Sequence, residues 1–252
     1  MIHTRHLLMH VYPVRGNGVW QWNLDQILAR LHLFNGSKTI AVAVDETTDS
    51  IQTVRAHAYI PESLWFDFEN DPTLREVVSH NHLWNRVPHQ PGHATFYCHA
   101  KGVTHPLESA YNAWAKLLYE ANLDYWPWVD AWLLTHPIAG ALRKEVAWPV
   151  PEHRVSPWHY SGAFYWVRND ALVGRDWRKI DQFRCGVETW PSRLFTLDEA
   201  GVLFFRGGDF NMADFAWVNR IQGEWTEWQS LRQNYHAVGP PSNLLPPNSS
   251  KG

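Results

Sequence analysis

The segment KTIAVAVD at residues 38–45 is an unbroken apolar, partly β-branched run of strand length. Because successive side chains of a strand point to opposite faces, a run that is apolar at every position belongs to a strand covered on both sides. That is the condition of a parallel sheet with helices above and below it. The chain before it supplies the missing pieces. WQWNLDQILARLHLF (20–34) sets Trp20, Leu24, Ile27, Leu28 and Leu31 at helical spacing and stops at Asn35-Gly36, while LLMHVYPV (7–14) reads as a strand ending at Pro13. The three segments form a βαβ unit.

The alternation continues. SIQTVRAHA (50–58) reads as a helix, LWFDF (64–68) as a strand, DPTLREVVSHNHLWNRV (71–87) as a helix with Asp71 as cap and Pro72 at its first position, and HATFYCHAKG (93–102) as a fourth strand. Beyond Pro106, LESAYNAWAKLLYEANL (107–123) reads as a helix, followed by a Trp-rich segment to about Leu134. AFYWVRND (163–170) reads as a late strand, and FTLDEAGVLFF (195–205) as a helix whose Thr196 and Glu199 have capping-box spacing. GPPSNLLPPNSSKG (239–252) has the composition of a disordered tail. The expected fold is one α/β domain over residues 1–238, with a mostly parallel central sheet flanked by helices.

Hydrophobic residues at 45% and charged residues at 19% suit a globular chain of 252 residues. The formal net charge of -3 argues against binding driven by a nucleic-acid backbone, which rewards a basic excess. Cys98 and Cys185 stand far apart outside any CxxC pattern, so a reducing compartment is expected. No apolar stretch reaches the roughly 18 residues that span a bilayer, and the N-terminus has no signal-peptide pattern. A soluble, cytoplasmic protein is expected; nothing in the sequence sets its oligomeric state.

In open α/β sheets ligands bind beyond the carboxyl ends of the strands. Those ends carry His10 and Tyr12, Asp45, Glu69-Asn70-Asp71, and Cys98-His99-Ala100-Lys101-Gly102. His99 and Lys101 fall on one side of their strand, where they could neutralise a diphosphate, and Gly102 would let backbone N–H groups approach it. The same residues would also suit a surface turn. Asp45 could accept hydrogen bonds from a ribose or a base; Asp49 reads as a helix cap.

Sixteen tryptophans and fifteen histidines stand out. A Trp face stacks on a sugar or a base, although core filling uses the same residue. His80, His82, His89, His93, His99 and His105 crowd one region, but Pro88, Pro91 and Gly92 break the helix that would align a ligand pair, and no metal site is expected. Glu188, beside Trp190 and Pro191 in a stretch without helical or strand periodicity, could have its pKa raised and act as a base, or be a solvated loop carboxylate. Arg206-Gly207-Gly208-Asp209 reads as a turn after a helix. The absence of GxxxxGK[ST], GxGxxG and GxSxG leaves P-loop, Rossmann and α/β-hydrolase readings without support.

MHVYPV, FYCHAKG, WHYSGAFYWVR and ETWPSRLF together resemble a group of bacterial and phage glycosyltransferase-like proteins of GT-A fold. These are distantly similar to polysaccharide-biosynthesis transferases that carry H-x-K after one strand and SG-x-F/M-x-W-x-R in a later one. The resemblance spans roughly residues 7–205. It implies a glycosyltransferase in which residues 1–105 hold a nucleotide-sugar donor and residues 106–238 a carbohydrate or other hydroxylated acceptor. Carried over by position, His10, Tyr12 and Asp45 would contact the nucleotide, and His99 and Lys101 would face the diphosphate. Trp158, His159, Tyr160, Ser161, Gly162 and Trp190 would wall the sugar and acceptor, with Glu188 or His159 as the base. Many GT-A enzymes bind manganese or magnesium through a DxD motif; none occurs in this sequence, which leaves metal dependence open and makes a metal-independent route, with cationic side chains carrying the leaving diphosphate, an alternative. Two alternatives stand beside this reading. One is a non-catalytic carbohydrate-binding protein of the same fold. The other is a phage-type enzyme that glycosylates modified DNA bases through a basic face at Arg143, Lys144, Arg175, Arg178 and Lys179.

Overall fold

The computed structural model describes residues 1–150, 154–207, 210–212 and 214–234. The expected βαβ alternation is present: β1 (Thr4–Val11), α1 (Val19–Leu28), β2 (Lys38–Val44), α2 (Ile51–His57), β3 (Ser63–Glu69), α3 (Val77–Trp84) and β4 (His93–His99). Two packed helices, α4 (Ala110–Leu123) and α5 (Trp126–Thr135), lead to β5 (Ile138–Lys144). Short strands follow at β6 (Trp148–Pro149), β7 (Val155–Ser156) and β8 (His159–Tyr160), and then β9 (Tyr165–Arg168), α6 (Gly186–Leu194), β10 (Ala200–Gly207) and α7 (Phe215–Asn234).

The main sheet runs in the order β10-β5-β9-β4-β1-β2-β3, with β8 paired to β5. All neighbours along that path are parallel except those of β9, which lies antiparallel between β4 and β5. The α/β class, the mostly parallel sheet and the single domain are as expected from the alternation. β1 and β2 are buried along nearly their whole length, as an apolar run covered on both faces requires. Among the described residues no helix is long and apolar enough to cross a membrane.

Most tryptophans are structural. Trp166 on β9 packs against Phe34, Phe96 and Trp126 with ring centroids 5.8, 5.1 and 5.0 Å away. On the other face of the sheet, Trp190 lies 5.1 Å from Trp84 and 6.0 Å from Tyr165. Wide aromatic side chains fill the space between sheet and helices where aliphatic ones would leave gaps.

Several expectations are corrected. FTLDEAGVLFF is not a helix: Thr196 donates its N–H to Glu199 at 2.9 Å, which closes a turn, and the chain then runs as strand β10. Arg206 and Gly207 are therefore the last residues of a strand; Gly208 and Asp209 lie outside the described residues, as does the segment 239–252. The segment around Glu188 is helix α6, with Pro191 inside it. The helix expected from Asp71 begins only at Val77, because Arg75 adopts a left-handed conformation with φ 53°. Asp71 still caps, accepting from the N–H groups of Thr73 and Leu74 at 2.8 and 3.0 Å, but it caps a turn. Asp49 does not cap α2; Ser50 does, accepting the Thr53 N–H at 3.2 Å. Replacing Ser50 with alanine removes that acceptor and should cost about 1 kcal/mol. Urea unfolding should show a lower midpoint with an unchanged slope; an unaltered midpoint would mean that this cap contributes nothing.

Candidate functional site

A cleft of about 270 Å³ opens at the carboxyl ends of β1 and β4, lined by His10, Tyr12, Asn70, Arg75, Glu76, His99, Lys101, His105 and Tyr111 among others. The parallel register sets His10 beside His99 at the ends of their strands. After β4 the chain turns over Ala100 and Lys101 and through Gly102 at φ 81°, a left-handed conformation that glycine adopts without strain.

Lys101 is held through its backbone. The buried Asn23 of α1 accepts the Lys101 N–H at 3.1 Å and donates to the Lys101 carbonyl at 3.0 Å. Tyr119 fixes Asn23 in turn by donating its hydroxyl to the same side-chain oxygen at 3.0 Å. The Lys101 ammonium sits 3.6 Å from the centroid of the Trp114 ring, a cation–π contact. Burial pushes the Lys101 pKa down, against the opposing pull of Glu188 and Glu76.

His99 links two neighbours. Its Nε2 donates to the Gly162 carbonyl at 3.0 Å, and its Nδ1 meets the Glu76 carboxylate at 2.9 Å. A carbonyl can only accept, so Nε2 carries a hydrogen in this contact, and Nδ1 and the Glu76 carboxyl share a proton between them. Burial works against the Glu76 charge, but His99 outweighs it and holds this carboxyl well below the usual range. His10 is neutral: burial lowers it to about 4. The Ser79 hydroxyl donates to the Glu76 backbone carbonyl at 3.2 Å and accepts from His10 Nδ1 at 2.9 Å, which leaves the His10 lone pair on Nε2.

The polar run before β9 takes part in this network through one peptide. Gly162 donates its N–H to Glu188 Oε1 at 3.2 Å while its carbonyl accepts from His99. Glycine is required there: φ is 94°, and a Cβ would stand 2.6 Å from Leu118 and 3.3 Å from the Lys101 side chain. Glu188 sits in the first turn of α6, where burial raises its pKa against the lowering influence of Lys101 and His99. A carboxyl tuned upward beside Lys101 and His99 suits a proton acceptor.

The expected site residues are thus divided. His10, Tyr12, His99 and Lys101 line the cleft, and Gly162 and Glu188 join them through the Gly162 peptide. Asp45 stands behind this wall. Its oxygens already accept four bonds, from Tyr12 at 2.7 Å, Asn70 at 2.9 Å, the Thr47 hydroxyl at 2.6 Å and the Thr47 N–H at 2.8 Å. Burial opposes its ionisation, but these bonds prevail and hold it at about 2. Asp45 therefore acts by fixing Tyr12 and Asn70, and it has no lone pair left over for a ribose. Trp158, Tyr160 and Trp190 are corrected as sugar platforms, since all three are buried in the core. The Tyr160 hydroxyl is spent on the Gly201 carbonyl at 2.7 Å and the Trp190 N–H on the Trp177 carbonyl at 2.8 Å. His159 is buried against Trp148 at 4.6 Å, away from the cleft lining, which removes it as the base. Ser161 is buried next to Gly162, its N–H donated to the Leu142 carbonyl at 2.9 Å.

The histidines do not converge. His80 packs on Trp190, His89 on Trp177, His93 on His6 and His105 on Tyr111. Among the described residues no group of three or more His, Cys, Asp or Glu could hold a metal ion. Arg75, Glu76 and Tyr111 are cleft residues that sequence reasoning missed, while Asn70, one of the strand-end residues, and His105 line the cleft as well. The available signal was the polar loop after β3, whose carboxyl end faces the same edge of the sheet.

No family model matches the chain, and no curated protein matches it. Among solved structures, 4-diphosphocytidyl-2C-methyl-D-erythritol synthase from Anaerococcus prevotii DSM 20548 aligns at TM-score 0.43 and 8% identity, covering 88% of this chain and 98% of its own. A protein described as a "putative nucleotide-diphospho-sugar transferase" from Desulfovibrio desulfuricans G20 aligns at TM-score 0.39 and 15% identity, covering 91% and 90%. Likenesses this distant carry no argument about the chemistry of this chain.

Proposed function

We propose that the chain is a glycosyltransferase that moves a sugar from a nucleotide-diphosphate donor to an acceptor hydroxyl. One observation carries this reading: a fixed buried lysine and a histidine–carboxylate pair line a cleft at the carboxyl edge of a mostly parallel sheet, and a carboxyl with a raised pKa is joined to that histidine through the Gly162 peptide. Residues 1–105 would supply most of the donor cleft, and residues 106–238 the acceptor side together with Glu188. Lys101 and Arg75 would neutralise the diphosphate. The cleft brings these cations to that point, and the leaving charge is assigned to them.

In the transfer step the acceptor oxygen bonds to the anomeric carbon as the bond from that carbon to the diphosphate oxygen breaks. The electron pair leaves with the diphosphate, and the acceptor proton goes to Glu188. The carbohydrate-binding alternative loses its platform, since Trp158 and Trp190 offer no face to a ligand. The DNA-directed alternative loses Arg143 from its basic face, since that side chain is buried on Glu145.

A thermal-shift screen against UDP, GDP, CMP and dTDP, each with and without manganese, tests the proposal. A ligand present at a hundred times its dissociation constant stabilises the folded chain by about 2.7 kcal/mol. A rise in Tm with one of these nucleotides is expected, and its size should not depend on manganese. No rise with any of them would overturn the reading.

A further inference from the structure

A second groove, of about 460 Å³, is lined by Arg154, Arg175, Asp176, Lys179, Ser192, Arg193 and Leu194. None of these residues lines the cleft at β1 and β4. Four cations face it against one lining carboxylate, Asp176.

Three of the cations are guanidinium groups held in place from behind. Arg154 and Arg193 both pair with Asp181, whose side chain is only 4% exposed. Asp181 is itself fixed by the Thr189 hydroxyl, which donates to it at 3.0 Å. One buried carboxylate thus anchors two guanidinium groups and leaves one positive charge uncompensated. Arg175 lies 4.5 Å from the centroid of the Phe195 ring, paired with Glu199 and donating to the Leu194 carbonyl. Lys179 is exposed at the rim. Groups positioned before a ligand arrives lose little entropy on binding it, and guanidinium forks match the oxygens of oxyanions.

We infer that this groove binds a phosphate-bearing ligand, independently of the proposed transfer reaction. A carboxylate offers two coplanar oxygens. A phosphoryl group offers three terminal oxygens, enough to accept from the three fixed guanidinium forks and the ammonium together, while Asp176, Asp181 and Glu199 leave the four cations one net positive charge. The phosphate could belong to a soluble metabolite or to a lipid headgroup.

Calorimetric titration of the full chain with inorganic pyrophosphate tests the inference, using Lys179→Ala, Arg193→Gln and the cleft variant Arg75→Ala/Lys101→Ala. Loss of one charge-assisted contact weakens binding roughly tenfold. The groove variants should therefore lose affinity for one pyrophosphate that the cleft variant still binds. Lys179 is exposed and its removal should leave the circular dichroism spectrum unchanged, so this variant decides the matter even if Arg193→Gln fails to fold. Pyrophosphate binding that is absent, or that vanishes only in the cleft variant, would overturn the inference. Co-sedimentation with phosphatidylcholine vesicles containing phosphatidic acid separates the sources. Vesicle binding lost in Lys179→Ala points to a lipid phosphate, and pyrophosphate binding without vesicle binding points to a soluble one.

Discussion

Glu188→Gln should lower transfer by roughly 10²- to 10⁴-fold, the usual contribution of a general base, while nucleotide binding persists and the fold is no less stable. Glutamine keeps the shape of the side chain, and its carbonyl can still accept the Gly162 N–H that Glu188 accepts at 3.2 Å. Only the proton acceptor is lost. Stability follows from the sign of the shift. Burial raises the Glu188 pKa in the folded chain, so between the ordinary carboxyl value and the raised one the folded state binds more protons than the unfolded state. Stability therefore falls as pH rises through that window, and above it the ionised carboxylate is a standing cost. Glutamine has no such cost, so the variant should match or exceed the parent in Tm at neutral pH and lose the advantage in acid. The pH profile of the parent should show an acid limb above the ordinary carboxylate range, because transfer needs the ionised form; the variant should lack that limb. Retained activity in Glu188→Gln would remove this residue as the base.

The first half of the fold is legible because the period of its apolar residues changes cleanly between strand and helix. The second half is harder for identifiable reasons. Ala200–Gly207 is apolar at nearly every position, so its period cannot separate strand from helix, and the Thr196–Glu199 pair, which closes a turn, imitates a helix start. Pro191 hides α6, since proline removes a helix hydrogen bond and tertiary packing must override that penalty. At the site, His99, Lys101 and Gly162 are legible from their motifs, because strand ends and glycine mark them. Arg75 and Glu76 are not, because a pattern that reads as continuous helix from Asp71 conceals the left-handed residue that turns them to the cleft. The tryptophans mislead most. Their residue type suits both a sugar platform and a core, and only burial, which depends on residues distant in sequence, decides between the two.

Lys101→Met is the second large expected effect: the nucleotide-dependent rise in Tm should disappear, and transfer should fall by about 10²- to 10³-fold, as when a preorganised electrostatic contact to the developing charge is removed. The substitution isolates the charge. Asn23 holds the backbone of Lys101 through both its N–H and its carbonyl, so the turn after β4 does not depend on the side chain. Methionine fills a similar volume and makes a favourable sulfur contact with an aromatic ring, here that of Trp114. Burial depresses the lysine pKa, so the unfolded chain binds the more protons between the depressed and the ordinary value, and the charged form is a cost to the fold below that window. The variant should therefore be at least as stable as the parent at neutral pH, and the difference should shrink as pH rises toward the ordinary lysine range. Glu188 provides an independent readout. Lys101 is the leading influence that lowers its pKa against burial, so removing the ammonium should move the acid limb of the residual activity to still higher pH. A parent-sized nucleotide shift in Lys101→Met would show that the diphosphate does not rest on this lysine. A lost shift with an unmoved acid limb would show that Lys101 binds the donor without tuning the base.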